Sequence, residues 1–279
     1  MTTRIDGHQH FWTLNRGDYD WLTPNLAPIY SDFTPADLKP LLDQAEVTAT
    51  VVVQAAATID ETRYLLKLAY ENAFIAGVVG WVDMADVNAI DVLAEFSQHA
   101  KFVGIRAMIE NIDDPKWIRN ASLKPVIRYL ADNRICLDAL VKSVHLPHLL
   151  EVLRQHPDLQ TVIDHGAKPD IANNAWQPWA DQMTAIARQT SAYCKLSGLI
   201  TEASDLQSYD HVMPYMDHLL EAFGPDRLIW GSDWPVLKLA GDYIGWHNAF
   251  QQWLTQLPEH ERSLVEGENA VRFYGLEGY

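Results

Sequence analysis

Cysteine is nearly absent: Cys136 and Cys194 are the only two in 279 residues, each inside an apolar stretch. Two thiols are too few for a secreted disulfide scaffold or a structural Cys₄ zinc site, so the expected location is cytoplasmic. Positive charge is scarce as well. Lys and Arg number 21 against 37 Asp and Glu, a net charge of −16 with histidine neutral. Such a field repels phosphate backbones and anionic lipid, and no nucleic-acid or membrane partner is expected. No run approaches the roughly 18 uninterrupted apolar residues of a spanning helix, and the opening MTTRIDGHQHF lacks the apolar segment of an export signal. A GxxxxGK[ST] phosphate loop is missing too. DHGAKP, with Gly166 and Lys168, resembles an anion loop only superficially.

What is present is a large stock of apolar side chains, 48% of the chain, arranged in a repeating rhythm. Short β-rich runs stand at 4–10, 49–55, 74–82, 102–109, 134–140, 160–165, 193–198 and 227–232. Helical spacing fills 35–45, 60–72, 86–99, 119–132, 145–155, 176–190 and 209–223, with a last pair at 243–256 and 258–266. Pro35 suits the first turn of the first helix and Asp60 is the expected cap of the second. Eight strand-plus-helix units match a closed (β/α)₈ TIM barrel, an α/β fold expected to span residues 1–279 as a single domain. An open doubly wound sheet would carry a glycine-rich turn after its first strand, where HQHFW stands instead.

Several strands end in groups that a packed core would not choose. Alternation along the first strand puts His8 and His10 on one face and Gln9 on the other. The sixth strand stops at Asp164 and His165, and the eighth is followed by Asp233. Active sites of this fold gather side chains from separate strand ends, so His8, His10, His165 and Asp233 are the expected catalytic group. Taken singly, an HxH pair is more often two hydrogen-bonded histidines in a polar turn, and a strand-end Asp is as often an N-cap. Arg106 interrupts the fourth strand with a permanent charge that needs an oxygen-rich ligand or a structural acid such as Asp138. Gln54, Trp81, Asp83 and Lys195 sit at other strand ends where they could orient hydroxyls. Trp12, Trp21 and Tyr30 on the first long loop and Trp234 after the eighth strand are ring systems close in sequence to the proposed mouth; Trp12 and Trp234 ahead of the other two are expected as platforms for a carbohydrate-like substrate, with core packing as the alternative.

HQHFW, DHGAKP, KLSGL at 195–199 and GSDWP at 231–235, in this order over nearly the whole chain, resemble the amidohydrolase-related family 2 proteins of the amidohydrolase superfamily, in their sugar-lactonase branch. The resemblance implies a (β/α)₈ barrel that opens an aldonolactone, such as L-fuconolactone or L-rhamnonolactone, to the aldonic acid. It places the family's histidine pair on His8 and His10, its sixth-strand histidine on His165 and its last-strand aspartate on Asp233. The superfamily often carries a bridging lysine or carboxylate on the fourth strand and a histidine on the fifth; here stand Arg106, with Glu110 beyond it, and Asp138. That departure argues against a two-metal centre. Asp233 is the expected general base, either with a pKa raised by desolvation or acting on an already activated lactone. No cofactor is expected to be strictly required, while His8, His10, His165 and Asp233 could hold one divalent cation such as Zn²⁺. The rival readings are a metal-dependent decarboxylase of an aromatic or related acid and a non-catalytic sugar-acid binding protein.

Overall fold

A computed structural model describes residues 3–203 and 209–279; Met1 and Thr2, on which the export-signal reading partly rests, lie outside the described residues. Eight parallel strands run in chain order: β1 (Ile5–Gln9), β2 (Ala49–Val53), β3 (Ile75–Gly80), β4 (Phe102–Ala107), β5 (Cys136–Ala139), β6 (Thr161–Ile163), β7 (Tyr193–Leu196) and β8 (Leu228–Trp230). Each lies inside a run read from sequence. The sheet closes through residues just beyond the last strand, with a parallel bridge between Gln9 and Trp234. This is the (β/α)₈ barrel.

Helices α1 (Pro35–Gln44), α2 (Ile59–Glu71), α3 (Ala89–Phe96), α4 (Lys124–Asp132), α5 (Leu146–Gln155), α6 (Trp179–Gln189), α7 (Met213–Phe223) and α8 (Tyr243–Leu254) follow the strands. Their buried residues, such as Leu65, Leu93, Leu130, Leu149, Met183 and Leu219, pack against the outer faces of the strands in one large core. Pro35 opens α1 behind a Thr34–Asp37 capping box. The cap of α2 is Thr58, whose hydroxyl accepts from the Glu61 amide, not Asp60. Asp60 lies inside the first turn, where its charge favours the helix dipole without capping it.

The spacing at 258–266 falls on α9 (Glu259–Ser263) and the first residues of a π-turn over Leu264–Glu268, which leads into α10 (Asn269–Tyr274). The sequence reading missed α10, which is too short for a periodic signature. It is nonetheless placed to seal the lower end of the barrel. Phe273 and Tyr274 join Ile5, Val51, Val53, Val79, Cys136, Val162 and Ile229 in a second core. Both cysteines are buried free thiols. Among the described residues, no helix is long and apolar enough to cross a membrane.

Candidate active site

Two backbone hydrogen bonds fix the floor of the site. Asp233 N–H donates to the His8 carbonyl at 2.8 Å and His10 N–H to the Trp234 carbonyl at 2.7 Å, so residues that close the barrel also carry the side chains that meet there. Gly231 permits this approach, since a Cβ would lie 2.7 Å from that of His8. Below, Asp6 Oδ1 accepts from the amides of His8 and Ser232 at 3.2 and 2.9 Å. His165 and Asp233 both adopt left-handed backbone, with φ of 54° and 57°. That conformation costs a non-glycine residue on the order of 1–3 kcal/mol and is concentrated at functional sites.

The four residues converge. His10 Nε2 is 3.2 Å from both His8 Nε2 and Asp233 Oδ1, while Asp233 Oδ1 lies 3.7 Å from His8 Nε2 and 3.9 Å from His165 Nε2. Each ring is held by its other nitrogen. His10 Nδ1–H donates to the Val53 carbonyl at 2.7 Å, and His165 Nδ1 meets Ser197 Oγ at 2.9 Å. Such outer contacts orient ligating imidazoles. Bonds of about 2.0–2.1 Å to a tetrahedral cation set ligand atoms roughly 3.3 Å apart, and the 3.2–3.9 Å separations here bracket that edge. His8, His165 and Asp233 form a group able to hold a divalent cation, and His10 lies beside it, against His8 and Asp233.

A second acidic group, His8 with Asp138 and Asp164, already holds a cation of the protein's own. Lys195 Nζ lies 2.5 Å from Asp138 Oδ2, 3.1 Å from Asp164 Oδ1 and 3.0 Å from His8 Nδ1. The ammonium stands where a second metal would. Tyr274, from α10, donates to the same Asp138 oxygen at 2.8 Å, tying the barrel seal to the underside of the site. Burial pushes Asp138 up to about 6. It acts the same way on Asp164 but is outweighed there by Lys195 and His8, which hold that carboxyl well below the usual range.

Burial lowers the pKa of all three site histidines, most strongly His8, where Lys195 adds to the effect. For Asp233, burial favours the protonated acid but is overcome by His165, the hydrogen bond with His10 and His8, so its carboxyl falls below the ordinary range. This corrects the expectation of a raised pKa. The imidazoles supply stabilisation of the anion that a desolvated strand end alone would lack.

Above this floor opens a cavity of about 320 Å³. His10, His165, Asp233 and Arg106 line it together with the apolar Trp21, Leu26, Val236 and Leu239 and the polar Lys168, Glu110, Asn111 and Thr201, of which Lys168 and Glu110 are paired at 2.9 Å. Other residues predicted from sequence lie elsewhere. Trp12 is wholly buried, its Nε1 donating to the Ser31 carbonyl, and Trp234 is packed between Phe11 and Phe33. Neither ring lines the cavity, because the loop after β1 folds back over both. Gln54 is buried beneath Arg106, donating to its carbonyl while its own carbonyl accepts from the guanidinium. Lys195, fully buried, also fails to reach the cavity. Trp81 and Asp83 line a neighbouring hollow that shares only Met108 and Asn111 with the main one. Arg106 bridges to Asp164, 3.9 Å from Nη1, and not to Asp138, which Lys195 takes.

Sequence reasoning placed Trp21 behind Trp12 and Trp234 as a ring platform, yet Trp21 is the tryptophan that lines the cavity; it dismissed Lys168. A signal existed for Lys168: it closes the DHGAKP turn, where His165, Ala167 and Lys168 all have positive φ.

The Amidohydrolase family profile matches residues 5–276. The chain belongs to this amidohydrolase family. Among its amidohydrolase relatives, L-fucono-1,5-lactonase of Burkholderia ambifaria is 43% identical over 99% of this chain and 97% of its own length. L-fucono-1,5-lactonase of Burkholderia multivorans is 35% identical over 98% and 96%. A crystal structure of a B. multivorans amidohydrolase with bound Zn superposes with a TM-score of 0.94 at 35% identity, covering 98% of this chain and 99% of that one. This protein is thus an amidohydrolase-superfamily hydrolase related to sugar lactonases, with a site able to bind a metal.

Proposed function

We propose that the protein hydrolyses a six-carbon or 6-deoxy aldonolactone to its aldonic acid, acting as one barrel domain over residues 1–279 in the cytoplasm, where its two unpaired thiols would stay reduced. The observation that carries the reading is the cavity itself. A carboxylate and imidazoles, Arg106, the Lys168–Glu110 ion pair and apolar side chains such as Trp21 and Leu26 line one volume suited to a single sugar ring. The similarity to the two L-fucono-1,5-lactonases supports the same choice.

Hydrolysis needs a positioned water, a counter-charge for the carbonyl oxygen and a proton for the departing ring oxygen. Asp233 Oδ accepts the water's proton as its oxygen attacks the carbonyl, a role typically worth about 10²–10⁴-fold. Arg106 faces the same space and stabilises the developing oxyanion. The proton gathered by Asp233 then passes to the ring oxygen as the C–O bond breaks. Because Asp233 is a weak base, most of the acceleration must come from the activated lactone and from Arg106. Trp21 and Leu26 accept the deoxy or apolar edge of the sugar, and Lys168, Glu110 and Asn111 its hydroxyls. A divalent cation such as Zn²⁺, held by His8, His10, His165 and Asp233, would act as a Lewis acid toward water or carbonyl.

A pH-indicator screen over stereochemically varied aldonolactones tests the assignment; no turnover there, with CO₂ release from an aromatic acid, would replace it by decarboxylation. Because Arg106 supplies charge without any ion, protein stripped by a strong chelator and verified metal-free should keep at least a tenth of its lactonase activity. A loss of 100-fold or more, reversed by one equivalent of Zn²⁺, amounts to about 2.7 kcal/mol and would transfer the main electrostatic role to the ion.

A further inference from the structure

Two loops bring opposite charges to the cavity lining. Glu110 follows β4, its amide donating to the Leu140 carbonyl at 3.0 Å. Lys168 ends the turn after β6, its amide donating to the His165 carbonyl at 2.8 Å with φ at 47°. Left-handed backbone is costly for a lysine, so the turn itself fixes where this side chain begins. Lys168 Nζ donates to Glu110 Oε1 at 2.9 Å, with the two side chains 22% and 12% exposed. Glu110 Oε2 is buried and has no hydrogen-bond partner. An ionised carboxylate can only accept, so what this oxygen lacks is a donor.

Apart from its histidines, the cations lining the cavity among the described residues are Arg106 and Lys168. Both are already engaged. Arg106 has Asp164 at 3.9 Å from Nη1 and donates to the Gln54 carbonyl, and Lys168 has Glu110. A ligand hydroxyl can donate to Glu110, whose last side-chain torsion is soft enough to turn Oε2 toward it. A ligand carboxylate in the same place has no proton to give, meets an oxygen that can only accept, and finds the charge of Lys168 neutralised. We propose that Glu110 determines specificity by occupying Lys168, so that the cavity takes polyhydroxylated lactones carrying no carboxylate of their own and rejects those that carry one. The same side chain is attractive to hydroxyls and repulsive to anions, and the repulsion supplies much of the discrimination. Burial pushes the Glu202 carboxyl up against the pull of Lys168, but Glu202 is not part of the cavity lining and does not share this role.

This inference rests on the lactonase reading and names the class of lactone that the site takes. L-galactonolactone and the matching monolactone of galactaric acid differ only at the terminal carbon, hydroxymethyl in one and carboxylate in the other. Wild type should favour the first in kcat/KM by about 100-fold or more. Glu110→Gln keeps the shape of the side chain and should narrow that gap at least about tenfold, chiefly through a lower KM for the carboxylated lactone. Calorimetry with the open-chain acids needs no turnover: Glu110→Gln should bind galactarate at least about tenfold more tightly than wild type does, while galactonate binds more weakly. Lys168→Met, a second variant at a partly exposed position, should sharpen the discrimination against galactarate, and Glu202→Gln should leave it as in wild type. Equal handling of the two lactones by wild type would overturn the inference, as would a folded Glu110→Gln protein that binds galactarate no more tightly than wild type, relaxed discrimination in Lys168→Met, or the same gain in Glu202→Gln. A gain in galactarate binding by Glu110→Gln, without hydrolysis of any aldonolactone by wild type, would overturn only the lactonase reading.

Discussion

Asp233→Asn keeps the side chain's volume and removes its ability to take a proton. We expect the variant to fold, to bind substrate or product with little change, and to lose 10²–10⁴-fold in kcat, measured against a Kd obtained independently. Near-wild-type kcat would dismiss Asp233 as the base. At this scale, the sequence revealed which polar side chains stop apolar runs, because a strand cannot bury His, Asp or Arg without reason. Their surroundings were less visible. The depressed pKa of Asp233 depends on imidazoles contributed by positions more than 60 and more than 220 residues away. The partner of Arg106 likewise depends on Lys195 having already claimed Asp138.

At the scale of elements, the long connection between β1 and α1 supplies two tryptophans with different work. Trp21 donates from Nε1 to the Ala55 carbonyl at 2.8 Å while its face, 37% exposed, lines the cavity. Trp12, wholly buried, packs on Tyr19, Trp21 and Phe33. Trp21→Ala should therefore raise KM with a small effect on melting, whereas Trp12→Ala should cost about 3–5 kcal/mol of stability. A Trp12→Ala protein that melts normally but binds poorly would restore it as a platform. All eight strands were legible because parallel strands buried on both faces read as continuous apolar runs. The details of caps and short helices were not: Thr58 outcompetes Asp60 through the backbone path entering α2, and α10 is held by contacts with strands far away in sequence.

For the molecule as a whole, stability against pH reflects opposing groups. Burial pushes Glu61 up to about 7, although it accepts from Tyr19 Oη at 2.7 Å and from the Ala55 amide at 3.1 Å. Its folded pKa exceeds its ordinary value of 4.5, so the folded state holds the proton more firmly. The resulting stabilisation is complete below about 4.5 and disappears as pH rises through about 7. The buried histidines act in the opposite sense, with stability falling as pH drops below about 6.5. Glu61→Gln isolates the first contribution. The amount by which wild type out-melts the variant should shrink from pH 5 to pH 8 in thermal scans, and an excess that is constant or grows with pH would contradict the raised pKa.

The bridge between Gln9 and Trp234 also sets a timetable for synthesis. About 220 residues separate β1 from β8, and at roughly 5–20 residues per second a ribosome needs on the order of ten to forty seconds to make them. Throughout that interval one edge of β1 has no strand to pair with, and His8 and His10 are already outside the decoding centre without Asp233. The nascent chain is thus most open to edge-to-edge association, and most in need of a chaperone's protection, while its first strand waits for its last.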